Sequence, residues 1–193
     1  MSSVALKDKA GETIVLGGGC FWCTEAVFLQ LKGVISVVPG YAGGTVPDPT
    51  YEEVSTGTTG QAEVIKIEYD PALIPFRKLL EVFFSSHDPT TPNRQGADVG
   101  SQYRSIILYT TEEQRKEAEA MIAELTQARK YASPVVTELR RLEAFYPAEP
   151  YHENYYAKNA DASYSGTVIK PKVEKIRHEF SELLKTKDSS HLP

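Results

Sequence analysis

The chain holds two cysteines in 193 residues, and they lie three apart in Gly17-Gly18-Gly19-Cys20-Phe21-Trp22-Cys23. They follow the apolar run Ile14-Val15-Leu16 and open a segment with helical spacing, so both sulfurs belong to one strand-to-helix turn. A helix start offers unpaired N–H groups and a partial positive charge. Such a place lowers a thiol's pKa, and the thiolate is the reactive form. Cys-x-x-Cys at a βα junction reads as a redox site. Free cysteines also serve as small buried hydrophobes, but two in one motif behind three glycines favour chemistry.

Other chemistries fit this turn less well. Three glycines before a helix could cradle a phosphate, but the dinucleotide fingerprint needs a glycine where Trp22 stands. Cys-x-x-Cys is half a zinc site, yet the chain has no second cysteine pair, and His87, His152, His178 and His191 are not spaced as ligands. No metal is expected. His152 reads as a surface or structural histidine.

The elements that must position the turn follow from apolar spacing. Glu12 to Leu16 reads as a buried strand. A helix from about Phe21 to Leu31 packs Val27, Phe28 and Leu31 inward and stops at Gly33. Val34 to Tyr41 and Glu63 to Tyr69 read as strands. Side chains alternate along a strand, so Glu63 shares a face with Ile65, Ile67 and Tyr69. Pro75 opens a helix with the stripe Phe76, Leu79, Leu80 and Phe83. Ser105 to Thr110 is a strand, and Thr111 with Gln114 forms a capping box for a helix burying Ala118, Met121, Ile122 and Leu125. Val135 to Leu139 reads as a further strand. A last helix from Pro171 carries Val173, Ile176, Phe180 and Leu183. Two stretches rich in turn residues interrupt the pattern, Ala42 to Gly60 and His87 to Gln102; a long loop like the first is usually functional or disordered, and its Tyr51 argues for a packed one. Tyr146 to Tyr164 is polar and aromatic without a clear period.

Strand-helix-strand, twice over, gives an α+β domain whose mainly antiparallel sheet is covered by helices on one face, with extra loops and a C-terminal helix. The length suits one domain over residues 1–193, with flexible ends at 1–11 and 186–193. Hydrophobic content of 41% and charged content of 24% are globular values. A net charge of −5 gives no footprint for nucleic acid or an anionic membrane. No apolar run is long enough to span a bilayer. The polar start lacks a signal-peptide core, and a lone thiol pair suits a reducing compartment, so a cytoplasmic protein is expected.

At Gly19-Cys20-Phe21-Trp22 the chain resembles the A-type peptide methionine sulfoxide reductases. The likeness continues through Gly40-Tyr41-Ala42-Gly43-Gly44, Pro49-Thr50-Tyr51-Glu52-Glu53-Val54, Thr59-Gly60-Gln61-Ala62-Glu63 and His87-Asp88-Pro89. It resumes at Gln95-Gly96-Ala97-Asp98-Val99-Gly100-Ser101-Gln102-Tyr103-Arg104-Ser105 and ends with Tyr151-His152-Glu153-Asn154-Tyr155. The resemblance covers roughly Ile14 to Lys158, and an ordered set of this length is specific.

The resemblance implies a ferredoxin-like two-layer sandwich (a split βαβ) and reduction of the S epimer of methionine sulfoxide, free or in proteins. It implies that Cys20 attacks the sulfoxide sulfur while Phe21 and Trp22 wall the methyl pocket. Glu63 would protonate the sulfoxide oxygen, helped by Tyr51 and Tyr103, and Asp98 would help hold substrate and water. Cys20 would then become a sulfenic acid, which a second thiol can recover. Without the resemblance, Tyr51 and Tyr103 read as packing residues, Asp98 as a turn former, and Phe21 and Trp22 as first-turn core. Glu63 is open between two readings: a desolvated acid with a raised pKa, or a strand-end carboxylate reaching water.

One departure stands out. Many members carry resolving cysteines in a glycine-rich C-terminal tail, whereas here only Met121 brings sulfur after Cys23. A branch of the family carries Gly-Cys-Phe-Trp-Cys, which makes Cys23 the resolver; the alternative is an external thiol. Helix positions three apart bring Cβ atoms to ~5–6 Å and a disulfide wants ~3.8 Å, so a modest distortion would close the bond. The implied reductant is thioredoxin, with no bound cofactor. Two rivals remain: a general thiol–disulfide oxidoreductase, disfavoured by the bulky Phe21-Trp22 between the cysteines, and a zinc-stabilised binding module.

Overall fold

The computed structural model describes residues 11–186. Ile14, Val15 and Leu16 are apolar without alternation because strand β1, Glu12–Gly18, lies inside a sheet with both faces covered. It pairs antiparallel with β3 (Ala62–Tyr69) on one side and β6 (Ser105–Tyr109) on the other. Strand β2 (Val34–Ala42) flanks β3, also antiparallel. Two short strands extend the edges, β7 (Glu138–Arg141) beside β6 and β8 (Phe145–Pro147) beside β2. The order is β7-β6-β1-β3-β2-β8. Among the described pairs β6–β7 alone is parallel, so the fold is α+β with a mixed, mostly antiparallel sheet.

The helices α1 (Phe21–Phe28), α3 (Phe76–Ser86) and α4 (Glu112–Gln127) pack on one face, and α6 (Lys170–Glu179) lies over α1 and α3. The stripe Phe76, Leu79, Leu80 and Phe83 is buried in that core, as its spacing demands. Helix α1 is buried all round, because β2, β3 and α6 enclose it. The opposite face carries a smaller cluster of Val15, Ala42, Ala62, Val64, Ile106 and Leu108, covered by Leu142 and Phe145 rather than by a helix.

Several boundaries differ from the expectations. Helix α1 ends at Phe28; beyond it Leu31 pairs with Leu184, and the Lys185 N–H bonds Gln30 O at 2.8 Å. That bond pins the start of the tail, while residues 1–10 and 187–193 of the expected flexible ends lie outside the described residues. Strand β7 begins at Glu138 because the Val136 N–H is taken by Pro89 O, outside the sheet. The Thr111 hydroxyl caps α4 at Gln114 N, but Gln114 Oε1 takes the Thr110 N–H, so the reciprocal half of the capping box is not made.

Both turn-rich stretches contain structure. Residues 42–60 hold the helix α2 (Tyr51–Ser55), fixed by a complete Thr50–Glu53 capping box. Residues 87–102 hold a hairpin, β4 (Arg94–Gln95) with β5 (Asp98–Val99), and a 3₁₀ turn at Ser101–Tyr103. The buried Arg104 ties them together. Its guanidinium donates to the carbonyls of Ser101, Gly60 and Gly43 at 2.9, 3.0 and 3.3 Å and pairs with Glu138 at 3.1 Å. A buried guanidinium must meet such partners or lose its hydration uncompensated, so Arg104 ties both loops to β7.

Candidate active site

The turn between β1 and α1 is where the sheet's C-terminal strand end meets the core helix. Gly19 sits at φ +94°, and a Cβ there would lie 2.6 Å from Gln95 Cγ. A Cβ on Gly17 would lie 2.8 Å from Ile106 Cγ2 and 2.9 Å from the Glu63 carbonyl. The glycines therefore let β1 run close to β6 and β3 and turn sharply under Gln95. Cys20 is the N-cap residue of α1, and Cys23 stands one turn along. Both are free and buried, and the two thiols lie close enough to shift each other's ionisation.

Glu63 completes the centre. It lies on the buried face of β3 with Ile65 and Ile67, and only 2% of it is exposed, so it does not reach out to water. Its Oε2 accepts the Phe21 N–H at 3.1 Å, which sets the carboxyl beside the Cys20 thiol. Burial, opposed in part by the Phe21 N–H, pushes its pKa up to about 8. Glu63 is therefore a protonated, donor-competent acid at neutral pH.

The helix start does not lower the Cys20 pKa, contrary to the sequence expectation. Burial, the Cys23 hydrogen bond and the nearby Glu63 charge push the Cys20 thiol up. The physical reason is visible in the bonding: the first N–H of α1 serves Glu63, not sulfur. Cys23 is the lowered thiol, brought to about 7 by its hydrogen bond with Cys20 against burial, with help from the Lys172 charge and Tyr164.

The other expected residues gather around this centre. Phe21 is buried, with its ring centroid 5.8 Å from Tyr41 and 6.5 Å from Tyr51. Trp22 is half-buried and stacks on Tyr155 at 3.7 Å. Tyr51 opens α2, and its N–H donates to Glu149 Oε1 at 2.9 Å. Burial and then the Glu63 charge push its phenol up to about 12. The same two causes, in the same order, raise Tyr103, so both hydroxyls stay protonated donors. Asp98, from β5, accepts the Tyr164 hydroxyl at 2.9 Å. All eight residues thus converge, drawn from β1–α1, α2, β3 and the hairpin segment.

The segment after β8 supplies parts that the sequence reading did not assign. His152 is fully buried, not at the surface, and its Nδ1 accepts the Trp22 indole N–H at 3.0 Å. Glu149 receives the Tyr41 hydroxyl at 2.8 Å as well as the Tyr51 N–H. Glu25, buried inside α1, takes the N–H groups of Asn154 and Tyr155 at 2.8 and 3.3 Å and so anchors α5 (Tyr155–Lys158) under Trp22. The Tyr164 hydroxyl lies 4.0 Å from Cys23 Sγ. These contacts span 98 to 141 residues of sequence, and Tyr146 to Tyr164 has no period to expose them; its density of tyrosines was the available signal. Among the described residues no group of three or more His, Cys, Asp or Glu is arranged to hold a metal ion.

Two buried thiols in one helix turn, a protonated acid beside them and an aromatic wall make a site for two-electron reduction of a small polar S–O or S–S group. The family model for peptide methionine sulfoxide reductase matches residues 12–184. The chain is 60% identical over 171 residues to a peptide methionine sulfoxide reductase MsrA of Sulfolobus acidocaldarius, covering 89% of this chain and 96% of that one. Among solved structures it is similar to reduced Mxr1 from Saccharomyces cerevisiae, with a TM-score of 0.75, 34% identity, and coverage of 81% and 90% of the two chains. A structure of Mxr1 in complex with Trx2 shares the fold, with a TM-score of 0.55, 23% identity, and coverage of 80% and 91%.

Proposed function

The chain belongs to the peptide methionine sulfoxide reductase family and reduces methionine sulfoxide, and from that premise we propose that Cys20 is the nucleophile and Glu63 the acid. The observation that carries this is the buried Glu63 carboxyl, held by the Phe21 N–H beside Cys20 and protonated at neutral pH. Sulfoxide oxygen is a poor leaving group until protonated, so a neutral acid beside the nucleophile meets the chief chemical need. Cys20 sulfur bonds to the sulfoxide sulfur as Glu63 gives its proton to the oxygen and takes the Cys20 thiol proton in return. Oxygen then passes to Cys20, methionine departs two electrons richer, and Cys20 is left as a sulfenic acid.

Phe21 and Trp22 wall the methyl group, Tyr51 and Tyr103 donate hydrogen bonds to the oxygen, and Asp98 holds substrate and water. Cys23 then attacks Cys20, forming a disulfide and releasing water. The place of both thiols in one helix turn and the lowered Cys23 pKa favour that step over resolution by an external thiol. The substrate is the S epimer, free or in oxidised proteins, with no bound cofactor or metal. Thioredoxin reopens the disulfide, a reading supported by the complex of Mxr1 with Trx2. Two free thiols fit a cytoplasmic enzyme.

The order β6-β1-β3-β2, with α1 and α3 as crossovers, supports a ferredoxin-like split βαβ core. One core spanning the family match supports a single reductase domain. The test is epimer-resolved reduction of a methionine sulfoxide peptide with dithiothreitol. The S epimer should be consumed and the R epimer left; consumption of R, or turnover of an insulin disulfide instead, would refute the assignment.

A further inference from the structure

Tyr164 belongs to none of the strands or helices that build the centre, yet its hydroxyl enters it. The oxygen lies 4.0 Å from Cys23 Sγ, interacts with the Cys20 thiol, and donates to Asp98 Oδ2 at 2.9 Å. Its ring meets Trp22 edge-on at 5.8 Å. The next residue, Ser165, is fully buried and starts a wide turn over Ser165–Ile169 that leads into α6, so the position is fixed from the C-terminal side. Glu63, by contrast, spends its bonds on Phe21 N–H and Cys20.

We propose that Tyr164 is a further catalytic residue, acting in the second chemical step by carrying the proton from Cys23 to the oxygen that leaves Cys20. The proposal rests on the reading of Cys23 as the resolving thiol. In that step the Cys23 sulfur forms a bond to the Cys20 sulfur and the Cys20 S–O bond breaks, its electron pair leaving with oxygen. Cys23 is oxidised and Cys20 reduced from the sulfenic level to the disulfide. The Cys23 proton passes to the Tyr164 oxygen while the Tyr164 proton passes to the departing hydroxide, giving water and restoring the phenol. Nothing external is consumed. Burial and the two cysteines hold the phenol protonated, and its bond to Asp98 anchors the oxygen beside the sulfurs; in this step the phenol proton turns from Asp98 to the departing hydroxide.

The test compares wild type, Tyr164→Phe and Cys23→Ser in a single turnover without reductant, following methionine release, a sulfenate-specific probe and the Cys20–Cys23 disulfide by mass spectrometry. Phenylalanine keeps the ring against Trp22 and removes only the hydroxyl. Tyr164→Phe should release methionine at the wild-type rate, hold Cys20 as sulfenate, and form the disulfide at least tenfold more slowly. Disulfide formation at the wild-type rate overturns the proposal, and so does an equal loss in methionine release, which would put Tyr164 in the first step. If wild type forms no Cys20–Cys23 disulfide, the reading of Cys23 fails and takes this proposal with it. If Cys23→Ser accumulates sulfenate while Tyr164→Phe behaves as wild type, the proposal alone fails. Should Tyr164→Phe not fold, disulfide formation in wild type decides: it should be slower in heavy water, and equal rates overturn the proposal.

Discussion

The Trp22 indole N–H donates to His152 Nδ1 at 3.0 Å and, with the Glu25 bonds to Asn154 and Tyr155, joins α1 to a segment 130 residues away. Because Nδ1 accepts, the ring proton resides on Nε2, which faces Glu149 Oε2 at 3.6 Å. Burial lowers the His152 pKa and keeps the ring neutral, so the acceptor persists. Glu149 in turn holds Tyr41 and the first turn of α2.

His152→Ala removes the acceptor and a ring that touches Phe21 and Tyr51 at 4.9 and 4.7 Å. A buried donor left unpaired costs ~1–3 kcal/mol, so the Trp22 wall should loosen. KM for a methionine sulfoxide peptide should rise about tenfold, the equivalent of ~1.4 kcal/mol, with kcat little changed. Trp22 is the chain's one tryptophan, and its fluorescence should shift in the same variant. An unchanged KM would mean that His152 supports the fold but not the pocket.

Cys20→Ser should abolish reduction with dithiothreitol and thioredoxin alike. A hydroxyl is not ionised near neutrality, and Cys23 lies a full turn further into the buried helix. Activity above background in single turnover would move the nucleophile elsewhere.

Glu63→Gln keeps an acceptor for the Phe21 N–H but cannot pass a proton. General acid catalysis contributes ~10²–10⁴-fold, and single-turnover methionine formation should fall in that range with little change in substrate affinity. In wild type the acid form is lost as pH rises through about 8, so the rate should decline there. The variant should lack that decline. Wild-type rates in Glu63→Gln would make the residue a structural one.

His87 offers a test by stability. It is buried, bonding Phe83 O and Ser105 Oγ at 2.7 Å each, and that burial lowers its pKa to about 4. The folded value lies below the unfolded value near 6.5, so between these the unfolded chain binds more protons. Its contribution is whole above 6.5 and is lost as pH falls toward 4, by about 3 kcal/mol. His87→Asn should flatten the fall in denaturant midpoint over that window. A slope equal to wild type would place the acid sensitivity on other groups.

Much of this molecule is local in origin and so legible in the chain. The thiol pair, the stripe of α3 and the face shared by Glu63, Ile65 and Ile67 all follow from spacing, because helical and strand periods fix which side chains share a face. The family motifs added roles to Tyr51, Tyr103 and Asp98 that their own spacing does not carry. Tertiary structure alone decided the electrostatics: whether Glu63 is desolvated depends on what covers β3, and the Cys20 thiol is raised by burial first, then by Cys23 and the Glu63 charge. It also decided the company of the site. His152, Glu149 and Tyr164 reach Trp22, Tyr51 and Cys23 across separations near or above a hundred residues, and a contact made by folding leaves no period in the sequence that makes it.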